Sequence, residues 1–347
     1  SWEQLFEGSA RRQFEDFLRH YIAGRRWFVH KARTVTSAQI LDMVEVRSEV
    51  GRGAPPLAAF LIVRLELDFG ESEHYVMPVA WAPGEEADEL CRWRPDSVLA
   101  ELSAGGARGV LHDALWSPDF VRTMVESLSS RRSFAGSGRL SGVPTPFRRL
   151  VGSVADVAAT PLSAEQSNTS VAIADRALFK LIRRFEPGIN PSVELGRYLG
   201  ERARFPGSPK MLGHVEYQSR RPGTPSATIA VLEELIPNEG DGWGYVVDAL
   251  DHVLEDFLAT SHGDALAAEA PPRLLEVQDR HIEPGHPLIG PHLEWASLLG
   301  RHTAELHHAL GSDHSDAALA PEPLSLMDRQ AMFHGARILA RRAFRQA

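Results

Sequence analysis

The chain has 347 residues, 43% apolar and 24% charged, with 37 Lys and Arg against 46 Asp and Glu for a formal charge of −9. That mixture excludes a disordered, collagen-like or coiled-coil chain, and the length allows two to three domains. The acidic balance lacks the basic surplus of a general nucleic-acid binder. Only Lys31, Lys180 and Lys210 among the basic residues are lysine. Arginine fills nearly every other cationic role, so each surviving lysine is a candidate for a task a guanidinium performs less well. The single cysteine, Cys91, excludes an internal disulfide and a cysteine metal cage. A reducing cytoplasm is the expected compartment. The start has no apolar signal-peptide core, and no run approaches 18 apolar residues, so no membrane partner is expected. The first residue is Ser1 and not Met, which is read as an expectation that the chain is a piece of something longer.

In chain order, Leu5, Phe6, Phe14, Phe17, Leu18, Tyr21 and Ile22 recur at helical spacing, predicting one buried helix face over residues 2–22. Three β-like runs follow at Thr34–Val46, Ala58–Phe69 and Glu73–Trp81. The second alternates apolar and charged residues, with Leu61, Val63, Leu65 and Leu67 on one side, as a half-exposed antiparallel strand would. Next come a short strand and a helix over Asp119–Ser129. The Gly/Ser/Arg-rich stretch 129–142 reads as a surface loop. Residues 146–183 read as strand–turn–strand, and Leu195–Arg204 as a helix with Pro191 suited to its first turn. Further β runs are expected at Met211–Tyr217 and Ala227–Leu232. Helices are expected near 244–261, 291–311 and 323–346, with a largely looped 262–290. Sheet first and helices afterwards predicts an α+β, two-lobed arrangement.

Residues 165–194 form one chemical unit: a polar loop from Glu165 to Ser170, a β segment placing Lys180 among Leu178, Phe179, Leu181 and Ile182, and Glu194 opening a helix. Small hydroxyl and amide residues in a tight turn offer backbone N–H groups to phosphate oxygens. A strand-borne ammonium reaches the α- and β-phosphates, and a helix-borne carboxylate holds it in place. The same residues also fit a plain reading, with Lys180 an edge-strand surface charge and Glu194 a helix-dipole partner. The glycines of G-x-G-x-x-G are absent.

The segment EQSNTSVAIADRALFKLIRRFEPGINPSVELGRYL resembles the phosphate-loop, lysine and glutamate-helix region of bacterial maltokinases, in the aminoglycoside-phosphotransferase branch of the kinase-like fold. RRWFVHKARTV resembles that family's cap segment, VLEELIPNEGDGWGY its interlobe hinge, and LLGRHTAELHHAL its first large C-lobe helix. The resemblance implies a protein-kinase-like fold with an N-terminal α+β cap and an incomplete C-lobe. Its implied parts are the cap over 1–104, an N-lobe over 105–236 and a partial helical C-lobe over 237–347.

By the same resemblance, Gln166, Ser167, Asn168, Thr169 and Ser170 would wrap the phosphates of ATP, Lys180 would contact them and Glu194 would orient it. The Glu234 carbonyl and the Ile236 amide would hydrogen-bond the adenine, with Leu235 between them. Asp241 and Trp243 stand just past this hinge. The implied reaction is Mg²⁺-dependent transfer from ATP to the anomeric hydroxyl of maltose, giving maltose 1-phosphate within trehalose-to-glycogen metabolism. A trehalose synthase, fused or associated, is the implied partner.

His262-Gly263-Asp264 matches only the start of the H-G-D-x-H catalytic loop and reads better as a helix terminator. Glu305-x-x-His308 has the spacing of a di-iron half-site, but such a site needs a second pair and further glutamates, and the companion Glu283-Pro-Gly-His286 reads as a turn. Lys31 reads as part of the cap motif, Lys210 as solvated. No residue in 1–347 matches the family's catalytic aspartate or metal-binding motif, so neither a catalytic nor a metal residue is assigned, and the chain alone is expected to be inactive. The competing readings are a non-catalytic binding or scaffolding module, and a phosphotransferase for another small-molecule hydroxyl.

Overall fold

The computed structural model describes residues 2–48, 55–104, 106–151, 159–162, 168–222, 224–259, 290–315 and 319–346. The chain divides into two compact units, Ser1–Glu239 and Gly240–Ala347.

The first unit opens with helix α1 (Gly8–Gly24), whose Phe14, Leu18 and Ile22 are buried at the spacing that lines up one helix face. Lys31 closes its end: Nζ donates to the carbonyls of Arg25 and Ala23, two of the groups a helix C-terminus leaves without internal partners. Strands β1 (Val35–Val46), β2 (Ala58–Leu67) and β3 (Glu73–Pro83) follow as an antiparallel meander. Helix α2 (Gly84–Trp93) and strands β4 (Val98–Ala104) and β5 (Ala107–Asp113) complete the sheet in the order β1-β2-β3-β5-β4. The expected boundary at residue 104 falls in the turn of the β4–β5 hairpin, where Ala104 pairs with Ala107.

Helix α3 (Pro118–Ser130) is capped by Ser117, whose side chain accepts from the Phe120 N–H. A second, seven-stranded sheet runs β6-β7-β12-β13-β10-β9-β8. Its strands are β6 (Ser133–Ala135), β7 (Arg139–Pro144), β8 (Ala159–Pro161), β9 (Thr169–Ile173), β10 (Ala177–Leu181), β12 (Met211–Gln218) and β13 (Ala227–Glu234). The two-residue strand β11 (Arg184–Phe185) instead pairs with Tyr75 and His74 of β3, so the chain leaving the second sheet adds to the first. Helix α4 (Pro191–Arg197) continues into a π-turn over Tyr198–Arg202.

Two expectations need correction. Strand β2 is not half-exposed: Ala58–Val63 is buried on both faces. Leu61, Val63 and Leu65 pack with α1, while Phe60 and Ile62 pack with α3 and the second sheet; only Arg64 and Glu66 keep partial access to water. Residues 129–142 are not a surface loop but the end of α3 and the β6–β7 hairpin, with Phe134 and Leu140 in the core. The glycines that suggested a loop are there for close approach. A Cβ on Gly136 would meet the Met43 carbonyl oxygen at 2.6 Å, and one on Gly138 would meet Asp42 Oδ2 at 2.5 Å.

The second unit is helical where described: α5 (Gly242–Ala259), α6 (Gly290–Leu310) and α7 (Leu326–Gln346). Asp241 caps α5, its Oδ1 accepting from the Gly244 N–H at 2.7 Å, while Trp243 is 81% exposed. His302 and Glu305 form an exposed pair along α6 at 3.0 Å. His262-Gly263-Asp264 lies outside the described residues.

Candidate functional site

Strands β9 and β10 are joined by a tight turn in which Ala174 and Asp175 both take positive φ, 51° each, and the Arg176 N–H donates to the Ile173 carbonyl at 3.0 Å. This geometry matches the right-handed twist of a hairpin. Along β10, Ala177, Phe179 and Leu181 point into the core, and Leu178 and Lys180 take the other face, half-buried. Lys180 lies opposite Ser170 on β9 and Val231 on β13, and Leu178 lies opposite Glu233.

Lys180 and Glu233 therefore share a face, diagonally across neighbouring strands, within reach of long side chains. Lys180 Nζ donates to Glu233 Oε2 at 3.3 Å, with 28% of the lysine side chain and 19% of the glutamate side chain exposed. Glu194, expected to orient Lys180, does not contact it. Its helix buries Val193, whereas Glu194 is exposed in the first turn, which Asn190 caps by accepting from the Ser192 N–H at 2.9 Å. The apolar run of β13 ends at Leu232, so periodicity alone leaves Glu233 out of the sheet. Only the ladder, which carries the pairing with β10 two charged residues past the apolar run, finds it.

The phosphate-loop candidates divide. Gln166 and Ser167 lie outside the described residues. Asn168 is half-buried, just before β9. Thr169 does not offer its hydroxyl outward: Oγ1 accepts from Arg183 Nε at 2.9 Å. Ser170 is wholly buried within the ladder, and its Oγ has no partner among the described residues. Thr169 is thus tied to Arg183 through its hydroxyl, and Ser170 stands in the ladder opposite Lys180.

Arg183, 1% exposed, is the largest fully buried side chain among the described residues. Its guanidinium pairs with Asp113 of the first sheet, donates to Thr169 of the second, and has its Cζ 5.3 Å from the Trp27 ring centroid. Tyr21 lies in the same region: burial, then the Asp113 carboxylate, push its hydroxyl up to about 12. Neither Asp113 nor Arg183 was singled out in the sequence, because their positions 70 residues apart carry no spacing signal.

The hinge candidates follow β13. The Glu234 N–H donates to the Lys210 carbonyl at 2.8 Å, and the Glu234 carboxylate accepts from the Lys210 N–H at 3.2 Å. The Leu235 N–H donates to the Arg176 carbonyl at 2.8 Å, fixing the segment to the β9–β10 turn. Ile236 is 48% exposed. Lys210 is half-buried, its Nζ 5.8 Å from the Phe147 ring centroid, and so is less solvated than expected. Among the described residues no group of three or more His, Cys, Asp or Glu side chains could share a metal ion.

Comparison with known proteins matches residues 21–116 to the maltokinase N-terminal cap domain. Among solved structures, the chain matches a glucosamine kinase in complex with glucosamine, ADP and inorganic phosphate, at 17% identity and a TM-score of 0.43. It also matches two further crystal forms of glucosamine kinase, at 15% and 16% identity with TM-scores of 0.43 and 0.45. Each alignment covers 90% of this chain but 55% of the other, so the chain spans about half the length of those structures. Residues 21–116, which hold the end of α1 and the first sheet, are thus similar to the N-terminal cap domain of maltokinases.

Proposed function

We propose that the chain carries the cap and nucleotide-binding part of a kinase-like phosphotransferase acting on a sugar hydroxyl, with ATP as donor and maltose as acceptor, giving maltose 1-phosphate. The observation that carries the reading is Lys180. In a chain with three lysines, this one stands on the half-open face of an antiparallel sheet, held by a carboxylate. A compact ammonium so placed suits the α- and β-phosphates of a nucleotide. The N–H groups around Gln166–Ser170 would line the phosphates, and Glu234–Ile236 the adenine edge. The described residues do not supply a Mg²⁺ cage of their own, and the ion would come bound to the nucleotide's phosphates.

Under this reading the protein works in the cytoplasm, on maltose derived from trehalose by a trehalose synthase, and feeds α-glucan synthesis. The sequence from 1 to 347 offers no counterpart of the catalytic aspartate, so this chain alone binds nucleotide without turning maltose over. Titration calorimetry with MgATP tests the core of the reading: binding by the chain and its loss in Lys180→Ala support it, and no binding by the wild type refutes it. An ADP-release assay with maltose, glucosamine and other sugars tests the acceptor, and maltose-dependent turnover by this chain alone refutes its inactivity.

A further inference from the structure

The inference rests on the reading that Lys180 meets a nucleotide's phosphates. We propose that Glu233 is the residue that positions Lys180 for that contact, and that the helix-borne Glu194 has no part in it. Three observations carry this. The β10–β13 register pairs Leu178 with Glu233 and Lys180 with Val231, so Glu233 stands diagonally beside Lys180 on the same face. The ion pair at 3.3 Å joins two half-buried side chains, so each holds the other with reduced competition from water. Glu194 turns to solvent because its neighbour Val193 is the residue that faces the core.

A lysine held from a helix takes up its working position only when the helix does. A lysine held from the adjacent strand is fixed by the backbone ladder itself, a more rigid support. The sheet continues from Glu233 through Glu234 into the segment proposed to receive the base. The same strand would therefore fix both the adenine contact and the phosphate contact. Without the Glu233 carboxylate, the four-carbon stem of Lys180 regains its rotamers, and ordering it must be met by the incoming phosphates.

The test is titration of the 347-residue chain with MgATP and, separately, with adenosine, which has no phosphate for Lys180 to touch. The variants are Lys180→Ala, Glu233→Gln, Glu233→Asp, Glu194→Gln and the double variant Lys180→Ala/Glu233→Gln. Glu233→Gln is expected to weaken MgATP about tenfold, the scale of one charged hydrogen bond, and to leave adenosine unchanged. Glu233→Asp, which withdraws the charge by one methylene, gives an intermediate loss. Glu194→Gln binds as the wild type does, and the double variant binds no more weakly than Lys180→Ala alone.

Unchanged or tighter MgATP binding in Glu233→Gln overturns the proposal, as does a loss in Glu194→Gln equal to that in Lys180→Ala. Equal losses of MgATP and adenosine assign Glu233 to the fold and also overturn it. Failure of the nucleotide reading looks different: the wild type binds no MgATP, or Lys180→Ala binds it as well as the wild type does.

Discussion

Removing Asp113 should be among the most damaging single changes in the first unit. Arg183 is 1% exposed and carries a full charge between the two sheets. Its compensation comes from Asp113, from Thr169 Oγ1 at 2.9 Å and from the Trp27 ring 5.3 Å from its Cζ. Breaking a buried ion pair by deleting one partner costs about 3–5 kcal/mol, because the remaining charge is stranded. The cation–π contact is worth roughly 0.5–2 kcal/mol and the Thr169 bond about 1.5–3, so they soften the loss without cancelling it. Asp113 Oδ1 also accepts from the Leu115 N–H at 3.1 Å, a cap worth about 1 kcal/mol. Asp113→Ala should therefore cost about 4 kcal/mol, which for a unit of this size lowers Tm by about 10 °C.

Urea unfolding followed by tryptophan fluorescence measures this. Thr169→Val should cost less than Asp113→Ala, since only one neutral acceptor is lost. The double variant Asp113→Leu/Arg183→Met removes both charges together and should recover most of the loss, because burying an apolar pair strands nothing. A cost below about 1 kcal/mol for Asp113→Ala, or a double variant as unstable as the single, would refute this assignment.

Three further outcomes follow from local geometry. Asp175→Gly should stabilise the chain by about 0.5–1 kcal/mol in urea unfolding, since Asp175 sits at φ 51°, a region glycine enters without side-chain strain. Lys31→Met should cost about 0.5–1 kcal/mol in the same measurement, by withdrawing the charged donor from the end of α1. The chain should also lose stability on acidification. Burial pulls His112 and His214 below the ordinary imidazole range. The folded state then holds them neutral while the unfolded chain takes up protons near pH 6.5. Their contribution is present above about 6.5 and is lost as pH falls towards their folded values. Urea midpoints at pH 7.5 and 5.0 measure it: His214→Gln should flatten the difference, and a wild type more stable at pH 5.0 would sink the idea.

Much of the fold was legible because its signals are periodic. β1–β3 and the long helices fall within a few residues of the expected runs: β1 and the end of β2 alternate, while the start of β2 and the middle of β3 are unbroken apolar runs of strand length. Helix α2 gave no such signal: of its ten residues only Ala87 is buried, so there is no apolar stripe to read. The β6–β7 hairpin was hidden by its glycines. Glycine at a close approach and glycine in a loop look the same until the neighbouring backbone is known, and the neighbours of Gly136 and Gly138 lie on β1, about 95 residues earlier.

The site was half legible for a related reason. Lys180 could be found by scarcity, a property of the sequence alone. Its partner could not, because an antiparallel register decides which carboxylate shares its face. Sliding β13 by one residue against β10 would turn Glu233 to the opposite face and bring Leu232 or Glu234 round in its place. Nothing in the spacing from 180 to 233 distinguishes those registers. What fixes the observed one is the cost of the alternative: β13 is buried on both faces up to Leu232, and the slip would turn the Glu233 carboxylate onto the face where Leu232 and Ala230 meet Phe179 and Leu181. The ion pair is thus a consequence of core packing on the far face of the same strand. A change that weakens that packing, such as Leu232→Ala, should loosen Lys180 without touching it.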